Sequence, residues 1–467
     1  MSAPKSLLRA ADPVLSRAEA EAIAKKALSF ATADETRVVI NSGTRGNARF
    51  AVNQVSTAGD TTNTSIAVRS AFGKKSAVAT TNAVDDDSLR RVVQSAEALA
   101  RLSPEDPEAM PELGPQEYAE GKGWSEATAG LDPAGRAAAI RKITEPARAA
   151  GLVSTGYLET ATSAQAIANS KGLFAYHRDT DTALTTTVRT PDGRGSGWAG
   201  ASHWDWSRID PSSLSATAIQ KAKASVDPVA IEPGRYTVVL EPTAVGNLVQ
   251  LIAGALGARQ ADEGRSFFTK PGGGTKIGQK VVDERVTIVT DPDDPDTYLA
   301  PFTQEGLPTR RVVWIENGVL KNLAYDRFWA QKQNVAPTPA QVGGFGFGGG
   351  GGFKMSGGDA TLDDLIKGTE RGILVTRFWY IRPVDPRTIL YTGLTRDGTF
   401  LIENGRITKA VKNLRYNESP IFMLNNLEAM TRPVRVSASE SGSPGSAIVV
   451  PAIRTRDFTF TSLSDAV

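Results

Sequence analysis

Two copies of the same tetrapeptide, Ile315-Glu-Asn-Gly318 and Ile402-Glu-Asn-Gly405, constrain the fold of this chain more than any other feature. Asparagine and glycine both tolerate positive φ, so Asn-Gly between apolar runs closes a tight type I′ hairpin. The first copy turns Val312-Val-Trp-Ile315 back into Val319-Leu-Lys321. Further β-rich runs lie at Tyr236–Leu240 and Gly372–Tyr380. Between them, Val245, Leu248, Leu251, Ile252, Ala255 and Leu256 follow helical spacing, and Thr361–Lys367 reads as a short helix. Residues 229–467 are therefore expected to form a mainly antiparallel β assembly with few helices.

The N-terminal half has a different rhythm. A helix is predicted over Ser16–Phe30, followed by strands at Glu35–Ile40, Ala48–Val52 and Thr64–Arg69, parted by turn residues. Asp85-Asp-Asp-Ser88 supplies N-cap acceptors for a helix carrying Leu89, Val92, Val93 and Ala96. Ser103–Tyr118, rich in proline and glutamate, reads as a linker. A second round begins at Leu131-Asp-Pro133, with a helix to about Ala150, kinked or interrupted at Pro146. Strands follow at Gly151–Ala161, Gln165–Ser170 and Leu184–Arg189, then a helix from Pro211 to Ala224. The expected class is α+β, with small α+β units at 1–125 and 126–228 ahead of the β-rich domain.

Composition excludes several chemistries. There is no cysteine, hence no disulfide, thiol nucleophile or thiolate metal site. The net charge of +2 implies no bulk attraction to nucleic acid or membrane. No apolar run approaches the roughly 18 residues that span a bilayer, and the first turns hold no signal-peptide core, so a cytoplasmic location is expected. Hydrophobic residues at 40% suit a globular chain of two or three domains.

Motifs that could carry chemistry reduce to plainer readings. Ser196 sits in Gly-Arg-Gly-Ser-Gly, which is not a nucleophile elbow, and His203 reads as a surface histidine beside Trp204 and Trp206. Asp291-Pro-Asp-Asp-Pro-Asp296 lacks the calcium-loop spacing and reads as a solvated turn. Gly346-Phe-Gly-Gly-Gly-Gly351 matches a dinucleotide fingerprint only formally; it reads as a mobile loop or as a lining for a shared cleft. Glu305, Arg310 and Arg311 read as a cross-strand ion network or as contacts to a peptide or partner.

The order of pieces resembles the TldD/PmbA family: Arg49–Gln54, Gly195–Trp198, Ser266-Phe-Phe268, Glu305-Gly-Leu-Pro-Thr309, Leu362–Ile366, Arg371-Gly372 and Phe400–Lys409. Departures lie at Thr303-Gln304, often acidic in the family, and in the 343–352 glycine tract. The catalytic members are zinc metallopeptidases with a His-Glu-x-x-x-His helix and a C-terminal cysteine; the PmbA (TldE) members are metal-free partners. Here the corresponding helix, about Pro242 to Gly254, has no histidine, and Ser437–Ser443 offers only serines and Glu440. The chain's two histidines, His177 and His203, lie elsewhere. The resemblance therefore implies no catalytic residue, metal or cofactor in this chain. It implies a TldD-like partner that carries the zinc, and an enclosed cleft for unstructured or modified peptides, with Glu305, Arg310, Arg311, Phe345 and Phe347 as cleft or interface candidates. The alternative is a stand-alone peptide-binding or regulatory protein on the same scaffold.

Overall fold

The structure, a computed structural model, describes residues 14–340, 352–437 and 447–464. It opens with α1 (Arg17–Ser29), where Ser16 and Glu19 form a reciprocal capping box. There follow β1 (Glu35–Ala51), β2 (Gln54–Phe72), β3 (Lys75–Thr81) and α2 (Asp86–Leu102), the last capped by Asp85 accepting from the Ser88 N–H. Next come α3 (Glu126–Ala129), α4 (Pro133–Ala149), β4 (Val153–Asn169), β5 (Phe174–Arg189), β6 (Ser196–His203) and α5 (Pro211–Ala224). All six strands join one antiparallel sheet in the order β3-β2-β1-β4-β5-β6. The ranges 1–125 and 126–228 thus contribute to a single sheet.

The strands are longer than the sequence predicts. Glu35–Ile40 and Ala48–Val52 belong to one continuous strand, and so do Gly151–Ala161 and Gln165–Ser170. The glycines between the first two do not turn the chain. Gly43 lies in the strand interior because the backbone of β4 passes so close that an added Cβ would sit 2.5 Å from the Thr162 carbonyl oxygen. The turn comes at Val52-Asn53, with φ of 51° and 59°. Helix α4 continues through Pro146 to Ala149, since proline in the last turn removes only one helical bond. The expected linker is a strap held on the sheet. Within it, Glu112 is buried and pairs with Arg69 at 3.0 Å and Arg37 at 3.8 Å.

One face of this sheet, with Val38, Ile40, Ile66 and Val68, packs under α1 and α2. Farther along the same face, Ala48, Phe50, Leu158 and Leu184 pack under α4. The helices leave the opposite face free.

The C-terminal half contains β7 (Gly234–Leu240), α6 (Pro242–Ala253), α7 (Ala258–Asp262), β8 (Ile288–Thr290), β9 (Val312–Glu316), β10 (Val319–Leu320), α8 (Arg327–Gln333) and β11 (Phe353–Met355). It continues with α9 (Leu362–Lys367), β12 (Arg371–Asp385), β13 (Leu390–Glu403), β14 (Arg406–Ala410) and β15 (Leu414–Glu418). The last elements are α10 (Pro420–Asn425), β16 (Leu427–Met430), β17 (Val434–Ser437), β18 (Ala447–Val450) and β19 (Ile453–Leu463). Both Asn-Gly turns form as expected, closing β9–β10 and β13–β14 with φ of 48°/78° and 51°/72°. Pairing is mainly antiparallel, the exceptions being β7–β12 and β11–β18. Strands β12, β7, β19, β15 and β13 close into a ring, because β12 also pairs with β13. Closure leaves those strands few free edges. Phe378, Tyr416, Phe458 and Phe460 make mutual ring contacts within the main core. Among the described residues no helix is long and apolar enough to cross a membrane.

Candidate functional site

Side chains alternate along a strand, so His177, Asp179 and Asp181 of β5 share one face. Gln165, Ser163 and Ala161 of β4 stand opposite them, and Asn41, Gly43 and Arg45 of β1 come next. This is the face the helices leave free. At one end it is apolar: Val39, Ile167, Leu173 and Ala175 receive Phe302 from the C-terminal half. Tyr118 meets Phe302 edge-on at 5.6 Å and donates to the Gly306 carbonyl at 2.7 Å. That plug holds the loop around residues 290–311 over the polar end of the sheet and leaves a cleft between them.

The cleft has two adjoining cavities of about 220 and 550 Å³, with Asp179 and Ala300 in the wall of both. The smaller is walled by Thr180, Asp181, Trp204, Thr297, Tyr298 and Arg435, among others. Trp204 and Tyr298 are 5.3 Å apart between ring centroids, and the Trp204 indole N–H donates to the Pro295 carbonyl at 2.9 Å. Arg435 pairs with Asp181 at 3.3 Å and also donates to the Ser202 and Asp296 carbonyls. Burial, then the neighbouring Asp181 carboxylate, pushes Asp179 up to about 7, against a hydrogen bond from Ser163. Burial draws His177 down to about 4, and His203 likewise, helped there by Arg435.

The acidic turn is not merely solvated. Lys354 pairs with Asp294 at 2.8 Å and Asp296 at 3.1 Å, Lys122 with Asp293 at 2.9 Å, and Arg311 with Asp291 at 3.7 Å. Arg310 lines the smaller cavity and is exposed; Arg311 stands just outside it. Glu305 is half-buried, lines neither cavity, and makes no ion pair among the described residues. The three residues therefore do not form the expected ion network. Phe345, Phe347 and the glycine tract up to Gly351 lie outside the described residues, as does Glu440. The sequence reading passed over Asp179, Asp181, Thr297 and Arg435. The alternation His177-Arg-Asp179-Thr-Asp181 carried a signal for the first two.

Ser196 and His203 do not come together. They begin and end the same strand, about 23 Å apart by strand rise. Ser196 Oγ donates to Asp397 at 2.7 Å, and His203 Nδ1 accepts from the Asp205 N–H at 2.9 Å.

Helix α6 follows β7 and is almost entirely buried. Its polar side chains are Thr243, Asn247 and Gln250, and Asn247 Oδ1 accepts from the Phe378 N–H at 3.1 Å. Hydroxyl and amide groups are poor zinc ligands beside imidazole, carboxylate or thiolate. Gly246 lets β17 and β18 pack against the helix, since an added Cβ would lie 2.9 Å from Val436 and 3.1 Å from Ile448. Among the described residues no group of three His, Cys, Asp or Glu could hold a metal ion. The side chains that α6 carries do not fit zinc.

Profiles of three domains match in succession: PmbA/TldA metallopeptidase domain 1 over residues 37–100, the central domain over 126–226, and the C-terminal domain over 233–462. The chain belongs to the TldD/PmbA family. Its fold superposes on TldE from Thermococcus kodakarensis with a TM-score of 0.82 at 19% identity, covering 95% of this chain and 99% of that one. In sequence it is 25% identical over 232 residues to a zinc metalloprotease TldD homolog of Saccharolobus solfataricus, covering 46% of this chain and 48% of the relative. A metalloprotease of Methanothermobacter thermautotrophicus is 26% identical over 339 residues, 66% of this chain and 69% of the relative. The match to the first of these relatives thus spans about half of its length. This family member keeps the scaffold and carries amide and hydroxyl side chains on α6.

Proposed function

We propose that this chain is the metal-free, non-catalytic subunit of a TldD/TldE-type heterodimeric zinc metallopeptidase, and that its cleft forms part of the enclosure for an unstructured peptide. The observation that carries the reading is α6, a family helix with no imidazole, carboxylate or thiolate on it. A TldD-like partner would supply the zinc, its ligands and the glutamate base. In this reading Glu305, Arg310, Arg311, Phe345 and Phe347 are substrate-cleft or interface residues, with Arg310 and Arg311 at the mouth of the cleft. Residues 229–467 act as the family domain, and 1–125 and 126–228 as two units sharing a sheet.

An open sheet edge supports a partnered role. Strand β3 covers β2 only from Ile66 to Phe72, so residues 54–65 have no strand on their outer side among the described residues. Such an edge can accept an extended chain through backbone hydrogen bonds. The test is zinc content and peptide hydrolysis, for the chain alone and co-expressed with a TldD-like protein. The expected result is neither for the chain alone, and chelator-sensitive cleavage of an unfolded peptide by the pair. Stoichiometric zinc, or robust cleavage by this chain alone, overturns the reading.

A further inference from the structure

The polar end of the first sheet presents an arrangement that the metal-free role does not require. Asp179 stands in the wall between the two cavities, and among the described residues no cation pairs with it. Its neighbour Asp181 is already engaged by Arg435, so the local balance leaves one carboxylate without a counter-charge. Thr297 gives an independent sign. It lines the smaller cavity, is only 7% exposed, and its Oγ1 has no hydrogen-bond partner among the described residues. A buried hydroxyl left unmatched is costly unless something fills the site. Trp204 and Tyr298 add aromatic faces to the same wall.

We propose that this part of the cleft is a subsite for a primary ammonium group of a bound peptide, held by Asp179 with Thr297 Oγ1 as a second acceptor. The inference rests on the reading of the cleft as peptide-binding and names what it selects. Ammonium suits the place better than guanidinium. A planar fork wants a carboxylate free for two parallel bonds, and Asp179 already accepts a hydrogen bond from Ser163. Three tetrahedral donors can be shared among Asp179, Thr297 Oγ1 and cavity water. The aromatic walls favour the methylene stem or a cation close to a ring.

Two chemical sources share this group: a lysine side chain and a free peptide N-terminus. The probes are three labelled alanine-serine peptides, one acetylated with a single lysine, one acetylated with norleucine in its place, and one with norleucine and a free amine. Binding is read by fluorescence anisotropy on the full chain, and cleavage on the chain with its TldD-like partner. At least one amine-bearing peptide is expected to bind about tenfold more tightly than acetylated norleucine, the effect of one charge-assisted hydrogen bond. The lysine peptide binding tighter identifies a side-chain site, and the free-amine peptide an N-terminal one. Asp179→Asn should abolish the preference. Thr297→Val should weaken it a few-fold, with thermal melting confirming that both variants fold. Equal binding of all three peptides, or a preference that survives Asp179→Asn, overturns the subsite. If the pair still cleaves the peptides in that case, the subunit reading stands; if the chain cleaves alone, that reading fails regardless of the amine.

Discussion

Replacing Asp179 by asparagine should make the protein more stable, by an amount that grows from about pH 4 and is complete above about pH 7. The carboxyl is pushed from 3.8 up to about 7 by burial and by Asp181. At about 1.4 kcal/mol per unit, the full shift has a ceiling of about 4 kcal/mol. Asp179 is partly open to the cavities, so water screens some of that, and about 2 kcal/mol is the working figure. The sign follows from linkage. Below pH 3.8 both folded and unfolded states hold the proton, and nothing is lost. Between 3.8 and about 7 the unfolded chain releases a proton that the folded one keeps, so stability falls as pH rises, and the cost is complete above 7. Asparagine has no such cost. His177 and His203, drawn down to about 4, produce the opposite slope below pH 6.5, but they are common to both proteins and cancel in the difference. The charged groups around the site, Asp181, Arg435, Arg310 and Arg45, are likewise unchanged. Urea denaturation of both proteins at pH 5 and pH 8 measures the effect. The midpoint advantage of the variant should grow by most of that 2 kcal/mol between the two. An advantage independent of pH, or a variant less stable at pH 8, refutes the account of Asp179 as an uncompensated buried charge. A stabilising loss of charge in a cleft is also the behaviour expected of a group kept for binding.

Other substitutions probe how the halves are joined. Asp397 has φ of 53° and lies buried among Arg377 at 3.6 Å, Arg396 at 3.7 Å and Arg189 at 3.9 Å, with Ser196 Oγ at 2.7 Å. Asp397→Asn keeps a residue that tolerates that backbone but removes the charge the three arginines share. It should cost about 3 kcal/mol in urea denaturation; a loss below 1 kcal/mol would show that the cluster is solvated. Phe302→Ala empties the plug that seats the 290–311 loop on the first sheet. About 3–5 kcal/mol of stability should go with it, and limited proteolysis should open that loop first; protection equal to wild type would show that the acidic turn's ion pairs hold the loop alone.

How much of this was legible in the residues can be judged element by element. The Asn-Gly hairpins and the helix cap at Asp85 were, because each is decided within a few residues. Strand length in the first sheet was not. Gly43 looks like a turn residue until one knows that β4 runs beside it, and pairing from a strand more than a hundred positions away overrides local preference. The Val52-Asn53 turn hides for the converse reason. Valine is a poor choice at φ of 51°, and the turn is held by Asn53, whose Oδ1 accepts from the Ser154 N–H and Oγ at 2.7 Å while its amide donates to the Leu152 carbonyl.

The cleft was legible only in part, and the reason is instructive. On one face of β1, β4 and β5, Val39, Ile167 and Ala175 are apolar, while Asn41, Ser163, Gln165, His177, Asp179 and Asp181 are polar. The change occurs within two residues on each strand. A sheet face that turns from apolar to polar part-way along several adjacent strands marks where one covering element ends. Here the cover is Phe302, and beyond it the sheet is exposed to a ligand-sized space. Reading one strand at a time shows only a broken alternation; the boundary emerges when the strands are placed in register. The subsite we propose lies at that boundary, where Asp179 lines both cavities.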